Sequence, residues 1–403
     1  MKTSFDLHTV STQLPSGLQF DLRGRPLAEQ VKLAIVRDLW NIGWTVNIDS
    51  GKFSIEPPAF YDKDTIKKSM EVKRLETIQN HQDWIRKYTF VAKRNLAYGE
   101  EALGSAIRPV IEVCEKPAQH RLFRILRYYW SSPYSDYVGR RIKLIIRDGA
   151  LPQQPVIGIA ALGSPIIHIP ERDSFIGWDV KTRTENLIYA MDAYVIGALP
   201  PYNELLGGKL VSLILASNEV RSIYRDKYRE QITLQNKRIS NELAAIFTTS
   251  LYGRSSQYNR LTFNGKQVFQ PIGETKGFGT LHLTSETIAL MRAYLESIGV
   301  QIGNQFGDGP SWQMRLIRNA GEKLGFDSDF LLRHSFRRRI YYVPLAQNTL
   351  PLLKGEDTQL DYFNWPLEAI VDHWKSRWKS KRVQNQDVLN RVLEVSPENF
   401  NIL

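Results

Sequence analysis

The sequence predicts an α/β (α+β) protein in which a central mixed sheet is flanked by N- and C-terminal helical regions. Strand-like and helix-like segments alternate between residues 121 and 283, the pattern of one α/β unit. Helical spacing dominates before and after that block. The chain has 403 residues, 42% of them hydrophobic and 24% charged, a globular composition with ample material for a core.

Four regions follow in order: an N-terminal helix plus hairpin over 1–60, a helical arm over 61–120, an α/β core over 121–283 and a mainly helical region over 284–403. RPLAEQVKLAIVRDLWNIG (25–43) puts Leu27, Val31, Ala34, Ile35 and Leu39 on one helical stripe, with Gly43 as the stop. WTVNIDSGKFSIEPP then reads as a hairpin with a Ser-Gly turn, closed by Pro57 and Pro58. Residues 62–117 carry long helices of mixed charge, anchored by Trp84, Ile85 and Phe90. RLFRILRYYW (121–130) is an amphipathic helix.

In the core, VGRRIKLIIRD (138–148) alternates as a strand does, VIGIAALG (156–163) is a buried strand and AYVIGAL (193–199) a third. KTRTENLIYAM (181–191) is helical, and PPYNELLGGKLVSLILAS (200–217) runs from a loop into an apolar helix. LAAIFTTS (243–250) is a strand and SSQYNRLTF a short helix; QVFQPIG and GFGTLHL make the last strand pair. Beyond it, LTSETIALMRAYLESIG is a helix capped near Ser285 and stopped at Gly299, and PLEAIVDHWKSRWKSKR (366–382) is the final helix.

Several classes are excluded. Cys114 is the only cysteine, so no intramolecular disulfide or thiolate metal cluster forms. No HExxH-type or His-rich spacing and no Walker A motif occurs, which argues against a resident metal and against nucleotide hydrolysis. The opening MKTSFDLHTVSTQLPSG lacks the apolar stretch of a signal peptide. No apolar run reaches the about 18–20 residues of a membrane helix; residues 155–169 come closest and are broken by Gly163, Ser164 and Pro165. A cytoplasmic protein with no membrane contact is expected.

The formal charge is +11, which favours a polyanionic partner, DNA or RNA above all. The cations cluster. Residues 121–147 hold Arg121, Arg124, Arg127, Arg140, Arg141, Lys143 and Arg147 against Asp136; Arg333 and the Arg337–Arg339 run form a second group; Lys375, Arg377, Lys379, Lys381 and Arg382 form a third. In the nucleic-acid reading, Arg124, Arg127, Arg140, Arg141, Arg337, Arg338 and Arg339 neutralise phosphates, and Tyr128, Tyr129 or Trp130 stacks on a base. The plainer reading makes 121–130 a helix with a solvated basic face.

Two polar phrases complete the candidates. RDSFIGWD (172–179) reads first as a structural turn: Gly177 takes an unusual backbone angle, Trp178 packs in the core, and the acids cap or pair. Its functional alternative makes Asp173 or Asp179 a base or metal ligand. GRSSQYNRL (253–261) places Ser255, Ser256 and Tyr258 at a helix start, where they cap it or, with Arg254 and Arg260, bind phosphate.

VGRRIKLIIRDG, VIGIAALGSP, RDSFIGWD, the TTSLYGRSSQYNRL phrase and FQPIGETKGFG together resemble the DruA-like family of the Druantia anti-phage defence systems, and LLRHSFRRRIYYVPLAQN fits the same pattern. The resemblance implies a bacterial antiviral defence component that works beside other subunits, a large helicase-like protein among them. It implies no reaction, and whether the chain is an enzyme stays open. The middle block is also similar in element order to acyltransferases of the GNAT fold. That likeness implies a GNAT-like layout with acyl-coenzyme A as candidate cofactor, Gly207 and Gly208 at its pyrophosphate beside Arg254 and Ser256, and Tyr258 as the acid that protonates the leaving thiolate. The Arg/Gln-x-x-Gly-x-Gly/Ala pattern of those enzymes is absent. Three functions remain in view: a nucleic-acid-contacting subunit, a group-transfer enzyme acting on nucleic acid or protein, and a scaffold without catalysis.

Overall fold

The computed structural model describes residues 3–6, 21–49, 52–58, 63–130, 139–233, 237–239, 241–251, 253–280, 282–301, 310–326, 329–334 and 336–402. In chain order the elements are β1 (Thr3–Asp6), α1 (Leu27–Asn41), β2 (Thr45–Asp49), β3 (Lys52–Glu56), α2 (Lys63–Asn80), α3 (Gln82–Lys93), α4 (Gly99–Gly104), β4 (Pro109–Val113) and α5 (Pro117–Arg127). Then come β5 (Arg141–Asp148), β6 (Val156–Gly163), α6 (Pro170–Ile176), α7 (Val180–Asn186), β7 (Ala190–Ala198), α8 (Gly207–Ile214), α9 (Asn218–Tyr228), β8 (Ala245–Ser250), β9 (Thr262–Phe263), β10 (Lys266–Gln267) and β11 (Gln270–Glu274). The chain closes with α10 (Ser285–Ser297), α11 (Pro310–Lys323), β12 (Arg339–Pro344), α12 (Thr349–Lys354), α13 (Leu367–Trp374), α14 (Ser380–Arg382) and α15 (Gln386–Leu393). Residues 375–379 form a π-turn between α13 and α14.

The chain divides into two compact units, one of residues 1–80, 131–133 and 275–338, the other of residues 81–130, 134–274 and 339–403. In the first, an antiparallel sheet of order β1-β3-β2 contains the expected hairpin, whose Ser-Gly turn lies outside the described residues. The apolar stripe of α1 is buried as its spacing requires, with Val31, Ala34, Ile35 and Leu39 fully enclosed. Buried Asp38 accepts the Thr284 amide at 2.7 Å, which ties α1 to the start of α10. The cap of α10 is Thr284, whose hydroxyl accepts the Thr287 amide at 3.3 Å. Ser285 is not the cap: its hydroxyl donates to Glu76 at 3.0 Å.

The second unit is built on a seven-stranded mixed sheet of order β11-β12-β8-β7-β6-β5-β4. Central β6 is buried along its whole length, which explains its unbroken apolar run. At Gly158 there is no room for a side chain, because a Cβ would stand 2.3 Å from the Gly197 carbonyl. Among the described pairings, β7 with β8 is the parallel one, and it spans only Ala190–Ala245, Met191–Ile246 and Asp192–Phe247. A bulge in β7 at Tyr194, between Ala193 paired to Leu162 and Val195 paired to Ala161, accompanies the parting of the two strands. One sheet face packs on α8, α9 and α13 through Leu210, Leu213, Tyr224 and Trp374. Over β7, β8 and β12 the other face is covered by α6 and α12 through Ile176, Phe247, Tyr342 and Leu353.

Three expected elements differ. Residues 109–113, read as helix, form edge strand β4, paired antiparallel to β5. GFGTLHL does not pair with QVFQPIG; β11 pairs instead with β12, which opens on the last residue of the Arg337–Arg339 run. SSQYNRL is a series of turns with Arg260 at φ +57°, not a helix. The long arm breaks near His81, and α4 begins at Gly99, where a Cβ would fall 1.7 Å from the Val392 carbonyl. The Gly99 amide donates to the Val395 carbonyl at 3.0 Å, and Tyr98 and Lys93 hold Glu398. Gly99→Ala should therefore lower stability by about 1–3 kcal/mol by prising the C-terminal segment away. A urea midpoint equal to wild type would refute that.

Candidate functional site

A collection of cations and rings in the second unit lies around α3, α5 and β5. Around α5, His120, Arg121, Arg124 and Tyr128 fall within about 100° of one another. Pro117 in the first turn fixes where the helix starts and so which residues share that arc. The Arg124 guanidinium lies 4.4 Å from the Trp84 ring centre and donates to the Tyr128 hydroxyl at 3.0 and 3.2 Å. Arg121 stands 5.9 Å from the Tyr88 ring, and Trp84 and Tyr88 are 4.8 Å apart. Each charged head is thus pre-set on an aromatic plate, which reduces the freedom it would lose on binding an anion.

On the neighbouring part of α5, His120 is held below the ordinary imidazole range, first by partial burial and then by Lys143, Lys227 and Arg141. Those cations come from β5 and α9, so three elements focus positive potential on one spot. Arg141 is exposed, and among the described residues neither it nor Lys227 nor Arg121 forms an ion pair. Cys114 nearby is buried, which pushes its thiol up to about 12 and leaves it unreactive.

The seven predicted phosphate-contacting arginines part company. Arg124 and Arg141 belong to this face. Arg127 is buried, its guanidinium 6.0 Å from the Trp130 ring. Arg140 serves the fold: it donates to the carbonyls of Ile188 at 2.8 Å and Ala190 at 3.1 Å and to the Tyr224 hydroxyl. Arg339, in β12, is paired with Glu274 at 2.6 Å. Arg337 is exposed and Arg338 half-buried; both belong to the first unit. Sequence spacing brought these seven together on paper, but the sheet needs Arg140 to close the start of β7.

The glycine turn that opens α8 is committed internally. The Gly207 amide donates to the Tyr202 carbonyl at 2.8 Å, and the Lys209 amide donates to that of Leu206 at 3.0 Å. Leu206 and Glu204 turn their carbonyls outward, to Trp374 Nε1 at 3.1 Å and Arg382 Nε at 2.9 Å. A Cβ at Gly208 would stand 3.0 Å from the Gln257 side chain, so that approach is already filled. Gln257 and Thr248 donate to the Ile196 and Ala193 carbonyls at 3.4 and 2.7 Å, occupying acceptors on β7 where it leaves β8. Arg254 and Ser256 are exposed, and the Ser256 carbonyl accepts Lys209 Nζ at 2.6 Å. Tyr258 stacks on Phe269 with ring centres 4.8 Å apart, and burial holds its hydroxyl above the ordinary phenol range. These residues fit a pyrophosphate poorly: the loop offers carbonyls and committed amides where an anion needs free donors.

RDSFIGWD forms the anticipated structural turn. Gly177 caps α6 at φ +83°, Trp178 is buried and Asp179 caps α7 by accepting the Thr182 amide at 2.7 Å. Asp173 is held by Arg172 at 2.7 Å, Arg183 at 2.9 Å and His168 at 2.7 Å. Burial alone would raise its carboxyl, but the Arg172 charge and these hydrogen bonds hold it below the usual range. Asp173 is thus a fixed anion inside an ion cluster, and among the described residues no group of acids, histidines or cysteines could hold a metal. A neighbour that sequence reading passed over is Asp192. One carboxylate oxygen accepts the Ile166 amide at 3.0 Å, the other is buried without a hydrogen bond, and burial pushes the group up to about 6. A lone acid inside the apolar AMDAYVIGA was the available signal. Tyr88 and Lys227 were also missed, and Trp84 was read only as a helix anchor, because only the fold brings them beside α5 and β5.

Residues 61–355 match the family model described as Druantia protein DruA. The chain is 35% identical over 360 residues to Druantia protein DruA of Escherichia coli (strain UMEA 4076-1), an alignment that covers 88% of this chain and 87% of that protein. No solved structure matches. No described helix is long and apolar enough to cross a membrane.

Proposed function

The chain belongs to the Druantia DruA family, and from that premise we propose that it acts in a Druantia anti-phage system by contacting nucleic acid through the α3–α5–β5 face. Membership makes it a component of that multi-gene defence system. One observation carries the contact surface: Arg141, Lys143 and Lys227 converge on His120, beside Arg121 and Arg124 seated on Tyr88 and Trp84. Clustered cations with aromatic plates between them suit a phosphate backbone. Each phosphate neutralised releases counterions, so log affinity should fall linearly with log salt, by about 0.7–0.9 per contact. For an Arg121→Ala/Arg124→Ala variant the slope should flatten by about 1.5, measured by fluorescence anisotropy on a labelled oligonucleotide. Wild-type affinity that is flat from about 50 to 300 mM salt would sink the reading. Other Druantia subunits, a helicase-like protein among them, are the proposed protein partners, and the cytoplasm the proposed compartment.

A second reading is group transfer from acyl-coenzyme A to nucleic acid or protein on a GNAT-like layout. It is supported by the strand order, by the single described parallel pair β7–β8 and by its early parting at the Tyr194 bulge. Against it stand the committed amides of Gly207 and Lys209 and the plugged β7 carbonyls. We therefore place the layout ahead of the activity. Thermal unfolding with saturating acetyl-coenzyme A separates the two, because a specific ligand at about a hundred times its Kd adds about 2.7 kcal/mol. The binding reading expects no shift and unchanged defence in Tyr258→Phe; a clear shift would restore the transferase.

A further inference from the structure

The third basic cluster, left aside by the function above, sits on the helix that α13, the π-turn and α14 make together. Lys375, Arg377, Lys379, Lys381 and Arg382 lie on it with Trp378 among them. None of the five forms an ion pair among the described residues. Two nearby carboxylates are spent elsewhere: Glu204 on Arg391 at 2.9 Å, and Asp148 on Ser105, Tyr202 and the Arg108 amide.

The π-turn makes this arrangement possible. Trp374 and Trp378 would share one face of a regular helix, and both would sink into the core. The wider turn leaves Trp374 buried, with Nε1 on the Leu206 carbonyl, and Trp378 only partly covered. Arg377 lies 5.2 Å and Lys209 5.7 Å from the Trp378 ring. Lys209 and Lys379 are anchored by carbonyls of Ser256 and Ser105, at 2.6 and 3.0 Å. Both are held below the ordinary ammonium range, first by burial and then by a neighbouring cation, Arg377 or Lys375. Five cations on one short helix with no ion pair among the described residues give a local positive potential that a polyanion would relieve.

We propose that the Lys375–Arg382 helix, with Trp378 as its aromatic plate, is a second nucleic-acid contact that grips the phosphates of one strand. Its cations run over about 10 Å of helix axis, enough for about three phosphates at the spacing of a single strand. A π-turn is a common mark of a functional site, and cations around a half-buried indole match strand-binding surfaces. The inference rests on the nucleic-acid reading of the α3–α5–β5 face but uses none of its residues.

The test is anisotropy of a labelled single-stranded DNA of about 30 nucleotides, titrated against the full chain at several salt concentrations. The variant Lys375→Ala/Arg377→Ala/Lys381→Ala removes exposed or half-exposed cations and leaves the anchored lysines in place. Binding should weaken about tenfold or more, and the salt slope should flatten by about 2, three contacts at about 0.7 each. Arg121→Ala/Arg124→Ala should leave that increment intact. If wild type binds and the triple variant binds equally well with the same slope, the second contact is refuted while the first stands. If wild type binds no strand even at the lowest salt, both fall together. Should the triple variant unfold, Lys381→Glu alone supplies the charge readout, and affinity unchanged by that reversal refutes the contact.

Discussion

Replacing Arg172 with alanine should cost about 3–5 kcal/mol of stability, because it strands a buried carboxylate. The side chain is fully enclosed. Its Nε and Nη2 donate to Asp173 at 2.9 and 2.7 Å, and the same fork reaches the carbonyls of Ile166 at 2.8 Å and Ile167 at 3.1 Å. The rings of Trp178 and Phe247 lie 5.4 and 5.8 Å from the guanidinium carbon. Removing it opens a cavity, leaves two carbonyls without their donor and strips Asp173 Oδ1 of its charged partner, with Arg183 and His168 remaining on Oδ2. Lysine keeps the charge but has no fork, so Arg172→Lys should recover only part of the loss. The pH dependence has a definite sign. Asp173 titrates below its ordinary value in the folded chain, so its contribution is present above the unfolded value and is lost as pH falls through the folded one. The alanine variant should therefore lose most relative to wild type near neutrality and less in acid. A urea-derived loss under about 1 kcal/mol at neutral pH would show that the cluster does not hold α6 in place.

How much of this was legible depended on whether a residue's partners lie close in sequence. The buried run of β6, the alternation of β5 and the α1 stripe all declared themselves locally, and the structure follows them. The turn at Gly177 was equally readable, since a positive φ, a cap and a buried indole are short-range demands. Strand β12 was hidden because its neighbours Arg337 and Arg338 look like a solvated turn; burial of Ile340, Tyr341 and Val343 between β8 and β11 decides otherwise. β4 was hidden by its edge position, where one partner strand suffices and a charged Glu112 is tolerated through its pairing with Arg147. The candidate site followed the same rule. Arg124 and Arg141 stand out as cations in any reading, whereas Arg140 is given to the fold by carbonyls 48 and 50 residues away.

Asp192→Asn should gain stability on wild type as pH rises, by about 3 kcal/mol in all. The carboxyl is buried in β7, accepts one amide, and leaves its second oxygen without a hydrogen bond. Burial pushes it up from 3.8 to about 6, more than Ile166 and the Arg172 charge can offset. The folded chain therefore holds this proton more tightly than the unfolded chain does. Below the unfolded value both states are protonated and the group is neutral in effect. Between about 4 and 6 the folded state binds more protons, so wild-type stability falls with rising pH. Above that window the buried charge carries its full cost. Asparagine keeps the acceptor for Ile166 and never ionises, so its unfolding free energy should lack this descent. The comparison must be the difference between the two proteins across pH, because Asp173 drives stability in the opposite direction in both. Equal pH profiles for the two proteins from about 4 to 8 would mean that water or a local opening solvates Asp192. The parting of β7 from β8 just beyond this residue would then be the place where solvent enters.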